Sequence, residues 1–339
     1  MTQIAAPTVA AQAGVVGHFA LEKPDHVWRR LLTNGRFLVG GSMLLLILGT
    51  CIISLKWTGR ESLGIDADGY PIDNPYYFDA QDSNNAESAP NRQHGIVGWF
   101  GTDKHGRSIL MRSLYGGTVS LEIGAAAALV AVVLGVTVGL FAGYRGGWPD
   151  ALLMRTVDIM YGLPYVLLII LFKIALEEPL SKLFTNASIA NRAVLFMAIG
   201  LVSWLTMARV VRGQVLSLRG QPFIEAGRAL GLPGWRIFLF HLLPNIVGPI
   251  IVYATLTVPQ AILSESFLSF LGIGIQAPMP TWGSLAADGL VPGLLPYKPS
   301  WWMLLFPCTL LALTLLSLNF VGDGLRDLFD PKRGEAAKL

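Results

Sequence analysis

Six long apolar stretches restrict this chain more than any other feature: residues 37–55, 123–142, 159–176, 193–211, 246–263 and 301–321. The fifth continues more weakly to residue 275, and Lys173 interrupts the third near its far end. A helix rises about 1.5 Å per residue, so about 20 apolar residues cross a hydrocarbon core about 30 Å thick. Inside that core every backbone N–H and C=O must find a partner within the protein, which a helix provides along its own length. The pattern therefore predicts an all-α polytopic membrane protein with six transmembrane helices. Composition agrees: 53% of residues are hydrophobic and 14% charged, against about 25% charged in soluble domains.

Lysine and arginine in short connections set the orientation. With the amino terminus inside, the cytoplasmic side receives Lys23, Arg29, Arg30 and Arg36, then Arg145, then the basic residues from Arg209 to Arg236, and finally Arg326, Lys332, Arg333 and Lys338. The short outer connections hold only Lys182, Arg192 and Lys298. This divides the chain into a cytoplasmic N-terminal segment (1–36), a first transmembrane helix (37–55), an extracytoplasmic loop (56–117), a core of five spans (118–321) and a cytoplasmic tail (322–339). The long lead before residue 37 lacks a small-residue cleavage pattern, so the first span is read as retained. Cys51 and Cys308 lie within apolar stretches and read as small buried residues, without metal-site spacing. The net charge of +3 is a topology signal, as no basic run suggests nucleic acid. The outer loop is polar, and residues 69–91 read as irregular.

Between the fourth and fifth spans, residues 217–245 read SLRGQPFIEAGRALGLPGWRIFLFHLLPN. Pro222 suits a first helical turn, where its missing N–H costs nothing. Phe223, Ala226 and Leu230 recur on one apolar face, with Glu225 and Arg228 to the other side. Gly231 fits a left-handed helix end, Pro233 the start of a second short helix, and Pro244 its close. Amphipathicity alone makes this a helix–turn–helix at the membrane surface, equally suited to a plain solvated connector. The spacing is more specific. Glu225-Ala226-Gly227, three residues, Gly231, nine residues and then His241-Leu242-Leu243-Pro244 resembles the EAA signature of binding-protein-dependent ABC import permeases. Gly227 stands where the signature has its second Ala, and His241 where it has Ile.

Other segments are similar to the C-type subunit of dipeptide and oligopeptide permeases, in the family's order: FGTDKHGRSILMRSLYGGTVSLEIG (100–124), MRTVDIMYGLP (154–164), SESFLSFLGIG (264–274), TWGSLAADG (281–289) and NFVGDGLRDLFDP (319–331). The resemblance implies a type I importer fold in the inner membrane. It implies a second homologous permease beside this one, two ABC ATPase subunits below, and an extracytoplasmic solute-binding protein that delivers peptide. ATP and Mg²⁺ would belong to the ATPases, with no cofactor or metal on this chain. The helix around Glu225 would seat in an ATPase groove, with Arg228, Gly231, His241 and Pro244 forming the coupling loop. Related permeases serve nickel chelates and glycosides, so the cargo stays open.

Charges within spans call for a functional hypothesis. Glu265 is the leading one, either facing the translocation path and a peptide amino group, or held structurally by hydrogen bonds; the second reading is preferred. Arg155 and Asp158 read as a structural pair, and Glu122 and Lys173 as snorkelling near span ends. Gly135, Gly139 and Gly143 repeat every four residues, which permits close helix packing. Trp301 and Trp302 suit an outer interfacial belt, as anchors. An ion-coupled secondary transporter would use Glu265 or Glu122 as proton carriers, but no inverted repeat supports it. The chain contains no HExxH, GxSxG or GxxxxGK[ST] motif, so a membrane enzyme and the ATPase itself are both disfavoured.

Overall fold

The computed structural model describes residues 33–65 and 71–329. Residues 1–32, 66–70 and 330–339 lie outside it, and with them most of the expected N-terminal segment and tail and the charges counted there. The helices are α1 (Gly35–Thr58), α2 (Ile109–Arg145), α3 (Gly147–Tyr161), α4 (Tyr165–Leu183), α5 (Ala187–Arg219), α6 (Pro222–Ala229), α7 (Gly234–Ile237), α8 (Leu243–Phe270), α9 (Trp282–Leu294) and α10 (Trp302–Phe329). Five are long and apolar enough to cross a membrane, counting α7 and α8 as one rod. The third apolar stretch is no straight span. Its residues divide between α3 and α4, which bend by 103° at the Gly162–Pro164 break. Proline denies the preceding residue its helical conformation, which accounts for the break.

Hydropathy underestimated the helices at both ends. α2 begins at Ile109, where Ser108 caps it by accepting from Met111 N–H, well inside the stretch expected to be loop. α10 runs to Phe329, into the expected tail. These ends are polar enough to escape an apolar window yet still close backbone hydrogen bonds. Gly324 packs on Phe37 and Gly40 on Ser317 and Phe320, so α1 and α10 run antiparallel. The start of the first helix and the end of the last therefore share one end of the bundle with α6.

α2 and α5 form the central pair. A Cβ on Gly139 would sit 2.5 Å from the Ala208 carbonyl oxygen, and one on Gly143 2.8 Å from Val215 Cβ. The four-residue glycine repeat thus serves packing within this chain. Val119, Ile123, Leu195 and Ile199 bury the rest of the seam, with Ala261 of α8 in the same cluster.

At the opposite end, residues 59–65 and 71–108 form a cap; of the stretch read as irregular, 71–73 are strand and 74–91 are mostly turns, tied down by specific hydrogen bonds. A short antiparallel hairpin pairs β1 (Ser62–Ile65) with β2 (Pro71–Asp73). The Asn74 amide donates to the carbonyls of Trp57 and Arg60 at 2.7 and 2.6 Å, satisfying acceptors that helix ends leave unpaired. Phe78 stacks on Tyr115, with ring centroids 4.2 Å apart. Arg107 bonds Asp103 at 2.7 Å and Asp79 at 2.9 Å. Burial disfavours its charge, but the two carboxylates outweigh burial and hold its pKa above the usual arginine value. Such internal bonds are invisible to a composition-based loop prediction. Trp302 is also corrected: it is 5% exposed and donates its indole N–H to the Thr102 carbonyl at 3.1 Å. The cap folds over it, whereas Trp301 stays exposed.

Candidate functional site

The segment around Glu225 folds as α6, a glycine turn and α7. Leu232 N–H bonds the Gly227 carbonyl at 3.1 Å while Gly231 takes φ 74°, a Schellman-type end that a glycine accepts without strain. α6 turns Ile224 and Gly227 inward. A Cβ at Gly227 would meet Leu232 and Ile237 at 3.4 and 3.8 Å, ordinary contact distances, so either glycine or alanine fits here. The apolar set Phe223, Ala226 and Leu230 faces outward instead, with Leu230 82% exposed. Glu225 and Arg228 are also exposed. The sequence stripe was real, but the inward contact is made by a different pair.

The segment is fixed from below. Ile224, Ile237, Leu242 and Ile246 share a buried cluster with Leu140, Met207, Val211 and Val215 of α2 and α5. Arg212 of α5 grips Asp150 of α3 through two hydrogen bonds. Tyr144 meets Phe238 edge-on.

Pro244 does not close the second short helix. A π turn at Phe238–Leu242 leads directly into α8, with Pro244 in its first turn. The wider π spacing absorbs the N–H that proline lacks, leaving the rod unbroken. His241 lies in this turn, where its carbonyl accepts from the Asn245 amide at 2.6 Å.

Glu265 is 0% exposed. Ser120 of α2 donates to its Oε2 at 3.1 Å, Ser266 to the same oxygen at 3.3 Å, and Ser269 to Oε1 at 2.7 Å. Ser120 Oγ in turn accepts the Trp282 N–H at the start of α9, at 3.3 Å. Hydroxyl donors around an acceptor-only group satisfy a buried carboxylate. The geometry joins α2, α8 and α9 and encloses the group away from any open surface. Ser269, one turn beyond Glu265, was legible in the sequence; Ser120 was not.

Asp158 pairs with Arg209 at 2.6 Å, not with Arg155. The bend after α3 aims it at α5. Glu122 pairs with Arg192 at 3.1 Å, and the Lys173 ammonium donates to the Ile273 carbonyl.

The family model for the binding-protein-dependent transport system inner membrane component matches residues 135–335. The dipeptide transport system permease protein DppC of Bacillus subtilis is 37% identical over 95% of this chain and 89% of its own length. The oligopeptide transport system permease protein OppC of Haemophilus influenzae is 43% identical, covering 76% of this chain and 77% of that one. OppC of Escherichia coli K12 is 44% identical, covering 77% and 81%. A solved structure of inward-facing conformations of the MetNI methionine ABC transporter superposes with TM-score 0.51 at 18% identity, covering 66% of this chain and 97% of that one. The fold is thus that of type I ABC importer permeases, and the chain belongs to the family of binding-protein-dependent transport system inner membrane components.

Proposed function

We propose that this chain forms half of the pathway by which an ABC importer moves dipeptides or oligopeptides across the bacterial inner membrane. A second, homologous permease supplies the other half. Two ATPase subunits bind and hydrolyse ATP with Mg²⁺, and an extracytoplasmic binding protein delivers the peptide. Both termini and α6 are assigned to the cytoplasmic side, and the cap of residues 59–65 and 71–108 to the outside. The chain itself is a non-catalytic transport subunit.

One observation carries the reading: α6 exposes Phe223 and Leu230 beside Glu225 and Arg228 on a segment whose inner face is locked into the bundle. Exposed apolar side chains rimmed by charge mark a protein contact. The firm inner packing lets a partner's movement reach the spans. The DppC and OppC relatives support the peptide cargo.

The test is co-purification of the ATPase with the assembled permeases, together with ATP-driven peptide uptake in proteoliposomes. Leu230→Asp and Glu225→Ala should each lower both, while the permeases still insert and pair. Uptake that survives without the ATPase and collapses with an uncoupler would overturn the proposal in favour of ion coupling.

A further inference from the structure

The exposed faces of the spans are not alike. α1 shows Leu45, Leu46, Ile52 and Ile53 to its surroundings, as lipid contact requires. α8 differs: Tyr253 and Gln260 are exposed, and Thr257 and Ser264 half-buried. At 100° per residue these four positions fall within roughly 60° of one another, forming a polar stripe on a face of α8 distinct from its buried Glu265. Among the described residues the Gln260 side-chain amide has no hydrogen-bond partner. An unpaired amide in hydrocarbon costs several kcal/mol, so the stripe faces water or other polar groups.

A second polar row joins it. Ser203, Thr206 and Arg209 recur every third residue on α5. The hydroxyl of Tyr165, just past the α3–α4 break, lies 3.4 Å from Ser203 Oγ and 3.3 Å from Ser264 Oγ. Tyr161, just before the break, bonds Thr206 at 2.5 Å and lies under the Arg209 guanidinium at 3.9 Å. Arg209 is neutralised by Asp158 at 2.6 Å. The two rows therefore make one face, rich in hydroxyls and an amide, on which the charges of Arg209 and Asp158 cancel.

We propose that this face is the wall of the translocation pathway and that it holds an extended peptide by its main-chain amides. The proposal rests on the peptide-import reading above. Neutral donors and acceptors pair with neutral amides and leave side-chain charge unread. From Tyr253 to Ser264 the stripe runs about 16 Å at the helical rise, the length of about five extended residues.

The test uses the complete transporter in proteoliposomes, carrying Cys308→Ser so that the half-buried thiol is removed. A membrane-impermeant methanethiosulfonate should label Gln260→Cys but not Leu45→Cys. Pentaalanine with binding protein should slow that labelling at least about threefold, as occupancy would. Gln260→Leu should lower uptake of pentaalanine, and of its central-Lys and central-Glu versions, by one common factor of about 2–10, the loss of one neutral hydrogen bond. The wall assignment is overturned if Gln260→Cys escapes the reagent or cross-links into the partner permease. Main-chain recognition is overturned if only a charged peptide responds. Should the Cys308→Ser assembly import no pentaalanine with ATP, the peptide reading fails, while labelling of Gln260→Cys still decides whether the face is wet.

Discussion

The Glu265 cage makes a sharp distinction between charge and shape. Replacing Glu265 by Gln keeps an acceptor at Oε1 for Ser269, while the Ser120 and Ser266 hydroxyls can rotate to accept from the new amide. We expect a cost near 1 kcal/mol, the difference between charge-assisted and neutral bonds. Replacing it by Ala removes the acceptor for three buried hydroxyls and opens a void. At about 1 kcal/mol per bond, plus a cavity contribution, less what the serines recover by bonding their own helix carbonyls, the loss is about 3 kcal/mol. On the scaling known for soluble domains this lowers an unfolding midpoint by about 6–12 °C. The assay is thermal unfolding of the purified complex beside ATP-driven uptake in proteoliposomes. Gln should be near native in both, and Ala should be destabilised, with uptake falling as folded transporter is lost. A Glu265→Gln protein that unfolds normally but transports nothing would refute the reasoning, because the carboxylate would then act through its charge.

Gly231→Val places a β-branched residue at φ 74°, a strained conformation costing about 1–2 kcal/mol. Uptake should fall while membrane insertion persists, and Gly231→Asn should restore most of it. Gly139→Leu forces α2 from α5 and should cost about 1–3 kcal/mol, read as reduced yield of folded complex; Gly213→Ala, with open space around it, should be silent. Trp302→Phe removes the bond to Thr102 and should cost about 1 kcal/mol, seen as faster proteolysis within residues 59–108. Arg107→Met removes the nearest partner of Asp103 and Asp79, leaving them Arg112 at 3.4 and 3.9 Å, and should loosen the same cap by about 2 kcal/mol.

Much of the bundle was legible in the sequence because hydrocarbon thickness writes itself into apolar length. The 159–176 stretch shows where that rule stops: it reports burial depth but not direction, so the Pro164 break went unseen. Polar positions were less legible still. Asp158 has Arg155 one turn away on its own helix, yet the bend hands it to Arg209, which is 51 residues distant. Glu265 found one of its donors locally at Ser269 and another 145 residues away at Ser120. The helix–turn–helix of residues 217–245 was readable in spacing and turn chemistry, since Gly231 and Pro222 act on their own backbone. Which of its faces looks inward depended on Leu232 and Ile237 folding back beneath Gly227, a tertiary fact.

The unbroken passage from α7 through the π turn into α8 has a mechanical consequence. Residues 234–270 form one rod of 37 residues, about 55 Å long at the helical rise, and Glu265 fastens it near one end. From that fastening the α7 end is about 46 Å away, Tyr253 about 18 Å and Gln260 about 7 Å. A push of about 4 Å at the α7 end tilts the rod by about 5° and carries Tyr253 by about 1.6 Å but Gln260 by only about 0.6 Å. The rod is a reduction gear: motion is geared down most strongly close to the pin, so the proposed wall would open as a wedge from the α7 end.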